Sequence, residues 1–297
     1  MIPLDFNGKL ALVTGVGDNV GFAWHIAKAL QAAGSRLVFA CHPRLLGIVE
    51  SILERDVDAE SRVLPHGAGT LKVEKLVPCD VGFDTMADVD EKTRNDRRYQ
   101  KHGDYSIQGM MDTVAKQFGA VDILIHSIAF SPEIKNRAVN TSRSGYLMAL
   151  SVSAYSLTAL LRAASPYMEN RPDGAAAVGL TYLGGERVVE HYGGGMSTAK
   201  AALQIDCKQL AANLGPKNIR VNLISAGPYG SRAAKAITDI DKIREQAAQN
   251  SPLRRAIAPE EVANATVFLC SSLASGITGQ ILYVDCGFNI MGAPPEN

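Results

Sequence analysis

The sequence predicts an α/β fold, a single domain built on a doubly wound parallel sheet with helices on both faces. Short apolar segments alternate with helical patterns from residue 9 to residue 284. No change in composition divides the 297 residues into separate units. Strands that read as continuous apolar runs are typical of parallel sheets covered on both faces, which is why this alternation favours one layered domain over residues 1–297.

The N-terminal unit is a strand, a glycine-rich turn and a helix. Residues 9–14 are β-prone, Gly15, Gly17 and Gly21 follow, and residues 23–33 have a helical pattern. Glycines here let the backbone approach a pyrophosphate at the helix N-terminus, as in Rossmann-type folds. The spacing G-x-G-x-x-x-G departs from the usual motif, and a glycine-rich turn can also serve only to turn the chain.

The second predicted strand, residues 36–40, ends in Cys41-His42-Pro43-Arg44. An acidic residue near this point usually binds the adenosine ribose, whereas an arginine favours a 2′-phosphate. No acid is present, so Arg44 leaves NADPH open as a cofactor beside NADH. A solvated arginine without a ligand is the alternative.

The remaining elements continue the alternation. Further strands are predicted at residues 75–79, 122–127, 175–181, 219–224 and 280–284, and further helices at 45–55, 109–118, 145–169, 199–214, 231–249 and 259–269. Residues 83–109 are rich in charge and poor in aliphatic side chains, which predicts a solvated surface insertion.

Composition excludes several classes of function. Thirty basic and thirty acidic side chains cancel, so we expect no nucleic-acid partner and no membrane partner. The five cysteines are widely spaced, which predicts free thiols and no metal site. No signal peptide and no apolar run of about 20 residues is apparent, so we expect a soluble protein. The balanced charge favours a small molecule as its partner.

The segment 179–200 carries the candidate chemistry. Tyr182 follows a predicted strand, Tyr192 precedes three glycines, and Lys200 lies in the next helix. Ketone-reducing short-chain dehydrogenases place a tyrosine four residues before the lysine and a serine thirteen residues before the tyrosine. Here Met196 lies four residues before Lys200, and Gly179 lies thirteen before Tyr192, so that arrangement is absent.

The motifs around these residues resemble the enoyl-acyl-carrier-protein reductases of type II fatty-acid synthesis. They are LTYLGGER and YGGGMSTAKAAL, together with TGVGDNVGFAW at 14–24, PCDV at 78–81, HSIAFSPE at 126–133, RVNLISAGPYGSRAAKA at 220–236 and ITGQILYVDCGFNIMG at 277–292. Seven residues separate Tyr192 from Lys200, and this spacing is similar to the plastid-type branch. Nearly the whole chain takes part in the resemblance.

The resemblance implies a function. NADH would reduce the trans-2 double bond of an enoyl thioester on acyl carrier protein, in a homotetramer located in a bacterial cytoplasm or, after removal of a transit peptide, in the plastid stroma. Tyr192 would stabilise the enolate, Lys200 would hold the nicotinamide ribose, and Tyr182 would line the acyl pocket and assist protonation. Either phenol could deliver the final proton. A 3-oxoacyl thioester reductase using NADPH and a non-catalytic nucleotide sensor are the alternatives.

The resemblance also assigns binding residues. The cofactor would contact Gly15, Gly21, Phe22, His42, Asp80, Val81, Ser127, Ile128, Lys200, Ala226, Gly227, Pro228, Tyr229 and Ser231. Ser131, Tyr182 and Tyr192 would contact the substrate, and a segment at about 229–249 would cover it. His126 and His191 have no apparent carboxylate partner in the sequence, so we interpret both as structural.

Overall fold

The computed structural model describes residues 4–190, 192–231 and 240–293, and within these ranges seven parallel strands form one sheet. The strands are β1 (Leu10–Thr14), β2 (Arg36–Cys41), β3 (Lys75–Pro78), β4 (Ile123–His126), β5 (Ala175–Thr181), β6 (Ile219–Ala226) and β7 (Ile281–Val284). Their order is β3-β2-β1-β4-β5-β6-β7. Each lies within two residues of its predicted bounds, so the doubly wound parallel sheet is confirmed.

The strand order reverses direction between β1 and β4. These two strands are neighbours in parallel register, with Thr14 paired to His126 at their carboxyl ends. The chain runs outward from β1 through β2 and β3 on one side, then from β4 to β7 on the other. Such a switch point opens a crevice beyond the strand ends, and ligands of open α/β sheets bind there.

Helices cover both faces of the sheet. They are α1 (Phe22–Ala32), α2 (Pro43–Glu54), α3 (Glu91–Arg94), α4 (Arg97–Gln100), α5 (Ile107–Phe118), α6 (Arg143–Leu150), α7 (Ser156–Met168), α8 (Met196–Leu214), α9 (Ile240–Asn250) and α10 (Pro259–Cys270). One apolar cluster joins α1, α2 and α10 to the sheet, and a second joins α5, α7 and α8. Successive β1 residues alternate between the two clusters, as the pleat requires.

The helix predicted over residues 145–169 is interrupted. A π-helical turn at Ser151–Tyr155 separates α6 from α7. Within it, Ser153 Oγ accepts the Phe130 N–H at 2.8 Å and donates to the Phe130 carbonyl at 3.0 Å. The turn thus ties the helix to the loop after β4. Such features span a single turn and have no hydrophobic period of their own, so the sequence pattern did not reveal this one.

This helical stretch contradicts the prediction that no apolar run approaches the length of a membrane span. Arg143–Met168 is long and apolar enough to span a membrane by length and composition, with a mean hydropathy of 1.4 over its most apolar window. Half of that window is buried inside the protein, which is typical of a core helix packed on a sheet. The expectation that no apolar run approaches spanning length was therefore wrong for this helix.

The charged segment 83–109 is more than a solvated surface. It contains α3 and α4, and Val89, Tyr99 and Tyr105 form a small apolar cluster inside it. Its Asp84 accepts hydrogen bonds from Tyr155 and Arg162, which attach the segment to the helices behind it. The prediction of a fully solvated face was incomplete because two tyrosines among many charges gave no periodic signal.

Candidate active site

A cavity of about 1100 Å³ lies across the carboxyl ends of the strands. It is continuous from the glycine-rich turn after β1, past the ends of β2 and β4, to the segment between β5 and α8. Every residue that the sequence assigned to cofactor or substrate lines it: Gly15, Gly21, Phe22, His42, Asp80, Val81, Ser127, Ile128, Ser131, Tyr182, Tyr192, Lys200, Ala226, Gly227, Pro228, Tyr229 and Ser231. The predicted residues are therefore brought together in one place.

The first turn after β1 is shaped for close backbone approach. Gly15 has φ +80°, and a Cβ there would lie 2.1 Å from the Ser127 carbonyl oxygen, so only glycine fits. Asp18 orders the rest of the turn, because its Oδ1 accepts the N–H groups of Val20 and Gly21 at 3.0 and 2.7 Å.

The N-terminus of α1 is open towards the cavity. Gly21 caps the helix without a side-chain hydrogen bond, and the first turn contains no acidic residue. Unpaired amide groups and the positive end of the helix dipole suit a diphosphate. This end of the cavity thus fits a dinucleotide on its own geometry.

A hydrogen-bonded chain of three side chains stands at the carboxyl end of β2. Nδ1 of His42 accepts the Arg44 N–H at 3.2 Å, so Nε2 carries the proton and faces the Tyr99 hydroxyl at 3.1 Å. Tyr99 in turn donates to Asp80 at 2.6 Å. Burial raises the pKa of Asp80, but the hydrogen bonds from His42 and Tyr99 outweigh it and bring the pKa below its ordinary value.

Tyr99 is a site residue that the sequence did not identify. It lines the cavity together with Phe83, Asp90 and Thr93 of the same charged segment. Burial and the hydrogen bond to Asp80 raise the pKa of Tyr99, so its hydroxyl stays protonated. The Arg-Arg-Tyr run inside a charged segment offered no motif that would have singled it out.

Lys200 is buried at the centre of the cavity wall. Only 3% of it is exposed, and its Nζ donates to the Leu180 carbonyl oxygen over 2.8 Å. Desolvation lowers the pKa of Lys200 to about 8. The remaining donors of this ammonium are available to a ligand that offers hydroxyl oxygens.

Two phenols face each other beside Lys200. The ring centroids of Tyr182 and Tyr192 lie 4.9 Å apart, with the rings at 67° in an edge-to-face contact. Burial, with the charge of Asp285 added, raises the pKa of Tyr182 to about 12, and burial raises the pKa of Tyr192 further still. Both phenols are therefore neutral donors at physiological pH.

Three glycines place Tyr192 in this position. A Cβ on Gly194, which has φ +57°, would lie 2.3 Å from the Glu133 carbonyl oxygen. A Cβ on Gly193 would lie 1.9 Å from the Asn136 carbonyl oxygen. Ser131 Oγ donates to the Gly194 carbonyl at 2.7 Å, which joins the loop after β4 to the turn before α8.

Helix α8 begins at Met196, three residues before the predicted start, and it buries both Met196 and Lys200. Met196 thus occupies the place that a ketone reductase gives to its tyrosine. Thirteen residues before Met196 stands Leu183, which is buried, so the serine of a ketone reductase is absent as well.

The two histidines differ in what the structure reveals. His126 is fully buried, and its Nε2 lies 2.8 Å from Ser156 Oγ rather than beside a carboxylate. Burial, with the nearby charge of Lys200, lowers the pKa of His126 to about 3, so it is neutral. His191 lies outside the described residues.

Part of the cavity lining is apolar. The apolar lining residues, none of which was predicted individually from the sequence, include Ile134, Leu147, Met148, Val189, Ile240 and Ile243. Tyr229, Ser231 and the start of α9 lie where the covering segment was predicted, but residues 232–239, including Ala233, are outside the described ranges. The described part of the predicted helix 231–249 begins only at Ile240.

One of the cysteines, Cys79, lines the cavity, and burial raises the pKa of its thiol. All five cysteines are free, and four of them are buried. Within the described ranges, no three His, Cys, Asp or Glu side chains are grouped as a metal ion would need.

Comparison with known proteins agrees with this geometry. Residues 102–289 match the family model described as enoyl-(acyl carrier protein) reductase. The chloroplastic NADH enoyl-acyl-carrier-protein reductase of Arabidopsis thaliana is 45% identical over 292 residues, covering 98% of this chain and 74% of the relative. The corresponding enzyme of Bacillus subtilis is 37% identical, covering 95% of this chain and 96% of that protein.

A solved structure extends the comparison to three dimensions. The Plasmodium berghei enoyl-acyl-carrier-protein reductase, crystallised with triclosan, superimposes with a TM-score of 0.92 at 37% identity, covering 97% of this chain and 100% of that one. The higher identity to the chloroplastic relatives agrees with the spacing of Tyr192 and Lys200. The chain therefore belongs to the family of NADH-dependent enoyl-acyl-carrier-protein reductases.

Proposed function

We propose that this protein reduces the trans-2 double bond of enoyl thioesters carried by acyl carrier protein, with NADH as the reductant, in the last step of the fatty-acid elongation cycle. The observation that carries the proposal is the meeting of Tyr192, Tyr182 and Lys200 in one cavity, with Met196 in the place of a ketone reductase's tyrosine.

The cofactor would lie along the switch point of the sheet. Gly15, Gly21 and Phe22 would hold the pyrophosphate, where the backbone approaches closely and α1 begins. Asp80 and Val81 would flank the adenine, His42 would lie near its ribose, and Ser127 and Ile128 would lie beside the nicotinamide ribose. Ala226, Gly227, Pro228, Tyr229 and Ser231 would surround the carboxamide. When bound, NADH supplies the hydride that adds to C3 of the enoyl thioester.

Tyr192 would act on the charge that develops during this addition. As C3 gains a hydride, electron density moves to the thioester oxygen, and a neutral phenol can donate a hydrogen bond to it. Burial keeps the phenol of Tyr192 neutral and excludes competing water. Tyr182, held edge-to-face against it, would fix its ring and line the acyl pocket beside Ser131.

Lys200 would bind the nicotinamide ribose hydroxyls and keep positive charge near the developing anion. Its carbonyl partner at Leu180 fixes the ammonium and leaves further N–H donors for the ribose. Because it is buried, its charge acts through a low dielectric and is worth more than a surface charge.

The assembly and location are also proposals. We infer a homotetramer, with support from apolar side chains that lie outside the cavity and are exposed in the single chain, namely Ile205 on α8, Phe268 on α10 and Leu282 on β7. A light-scattering mass of four times the 31.7 kDa chain would be expected. The protein would work in a bacterial cytoplasm or, after loss of a transit peptide, in the plastid stroma.

Steady-state rates with a series of enoyl thioesters test the proposed function. We expect NADH to be oxidised in proportion to the saturated thioester formed, with little turnover of 3-oxoacyl thioesters. Oxidation of neither NADH nor NADPH with any enoyl thioester would overturn it. Turnover of 3-oxoacyl thioesters alone would instead identify a carbonyl reductase, and cofactor binding without any turnover would identify a nucleotide sensor.

A further inference from the structure

The cofactor end of the cavity contains an arginine in the position that favours NADPH. Arg44 lies three residues beyond the end of β2 and lines the cavity. In dinucleotide-binding folds, side chains that follow this strand lie near the adenosine 2′ position, and an arginine there binds a 2′-phosphate. The residue type alone therefore points away from NADH.

Asp96 engages this arginine from the charged segment 83–109. Nη2 of Arg44 donates to Oδ2 of Asp96 over 3.0 Å, and the guanidinium lies 5.4 Å from the ring centroid of Tyr99. The guanidinium of Arg98 donates two more hydrogen bonds to the same carboxylate, at 3.0 and 2.8 Å, and its backbone N–H donates a third at 2.9 Å. Arg44 is thus held by an ion pair and a cation–π contact, both of which it would have to leave or share to bind a phosphate.

Two further carboxylates line the cavity. Asp80 and Asp90 line the cavity near Tyr99, and the side-chain and backbone hydrogen bonds of Arg98 hold the pKa of Asp96 well below its usual range. A 2′-phosphate would approach these carboxylates, and Arg44 would have to leave or share its ion pair with Asp96 to bind it. A ribose hydroxyl, in contrast, can donate a hydrogen bond to a carboxylate without repulsion.

We propose that Asp96, acting through Arg44, is a specificity-determining residue that makes this protein select NADH over NADPH. Asp96 is not part of the cavity lining, so it is a positioning residue rather than a catalytic one. The inference rests on the proposed function in one respect, that the adenosine end of the cofactor lies at His42 and Asp80.

Replacement of Asp96 by asparagine tests the proposal. Asp96→Asn keeps the shape of the side chain and removes the charge that holds Arg44. We expect the ratio of the NADPH Kd to the NADH Kd, measured by isothermal titration calorimetry, to fall by about tenfold, the effect of about one charge-assisted hydrogen bond. The fragments 2′,5′-ADP and 5′-ADP should show the same change, because the 2′-phosphate is their only difference.

Two further variants assign the effect to Arg44. The double variant Asp96→Asn/Arg44→Ala should return the ratio to that of the wild type. The control Glu91→Gln, which removes an exposed carboxylate from the same segment, should leave the ratio unchanged.

Arg44→Ala alone tests the proposal independently if Asp96→Asn does not fold, as judged by circular dichroism. We expect the ratio to stay within about twofold of the wild type. An unchanged ratio in folded Asp96→Asn, or a tenfold higher ratio in Arg44→Ala, would overturn this inference while NADH binding left the proposed function intact. Binding of neither cofactor by the wild type would overturn both.

Discussion

Burial sets the protonation states of the three central side chains. Tyr182 and Tyr192 stay neutral because a phenolate would be desolvated, and Lys200 loses part of its preference for the charged form for the same reason. The donors that a developing enolate needs are thus fixed before a substrate arrives. Because burial keeps both phenols protonated, neither is set up as a general base.

Replacement of Tyr192 by phenylalanine should slow the chemical step. We expect kcat to fall by about 10²–10³-fold, the usual effect of removing one oxyanion donor, while the NADH Kd stays within about threefold. Stopped-flow single turnovers and titration calorimetry measure the two quantities. Tyr167→Phe, on α7 and outside the cavity, is the matched control. A larger loss in Tyr182→Phe than in Tyr192→Phe would exchange the roles of the two phenols.

The titration of Lys200 should change how the free energy of unfolding depends on pH. Its pKa in the folded chain is about 8, below the ordinary value of 10.5, so the unfolded chain binds more protons between these values. The free energy of unfolding of the wild type should therefore rise with pH relative to Lys200→Met, by up to about 1.4 kcal/mol per pH unit. Denaturant unfolding of the cofactor-free proteins measures the difference, and a flat difference across this window would contradict the burial of a charged Lys200.

The sequence identified some of these residues and missed others for physical reasons. Counting from Lys200 revealed that Tyr192 is displaced behind three glycines, because spacing along a chain is visible in the sequence. Tyr99 was not predicted from the sequence because its partners His42 and Asp80 lie 57 and 19 positions before it in the chain. Contacts between distant loops leave no periodic pattern.

At the scale of elements, the turn 193–195 couples the loop after β4 to helix α8. Ser131 donates to the carbonyl of Gly194, and the Gly194 N–H donates to the Asn136 carbonyl at 2.9 Å. Tyr192 directly precedes this turn and Met196 directly follows it. The backbone conformation of the turn therefore determines where the Tyr192 phenol lies relative to Lys200.

Replacement of Gly194 by alanine should disturb both stability and turnover. The residue has φ +57°, and the new Cβ would overlap the Glu133 carbonyl group, so we expect a loss of at least about 2 kcal/mol in the free energy of unfolding. The rate of turnover should also fall, because the phenol of Tyr192 would be displaced. Gly103→Ala is the control, since a Cβ there meets nothing within 4 Å. Equal thermal melting and equal kcat in the two variants would refute this account of the turn.

The element boundaries that the sequence missed share one cause. The π-helical turn at Ser151–Tyr155 and the early start of α8 at Met196 both depend on tertiary contacts, with Ser153 bonded to Phe130 and placed 3.5 Å from the Met196 sulfur. Hydrophobic periodicity predicts that a helix exists and which face is buried, but not where a neighbouring loop interrupts it.

At the scale of the whole molecule, the order of the strands explains why one cavity collects residues from so much of the sequence. Gly15, Asp80, Ser127, Tyr182 and Ala226 follow or end five different strands, and parallel pairing brings all five strand ends to one edge. This part of the architecture was predictable, since apolar strands alternating with helices fix parallel pairing and the right-handed crossovers limit the topology. The position of segment 83–109 over the cofactor end was not, because it depends on side-chain contacts rather than on pattern.

The position of the transferred hydride in the product shows directly whether the protein reduces a carbon–carbon double bond. The protein should be incubated with crotonyl thioester and NADH carrying deuterium at the transferable position of C4, and the product examined by NMR and mass spectrometry. We predict a butyryl thioester with one deuterium, located at C3, and a solvent proton at C2. Crotonyl thioester recovered unchanged, while a 3-oxoacyl thioester in a parallel incubation gains deuterium at its carbinol carbon, would show instead that the protein is a carbonyl reductase.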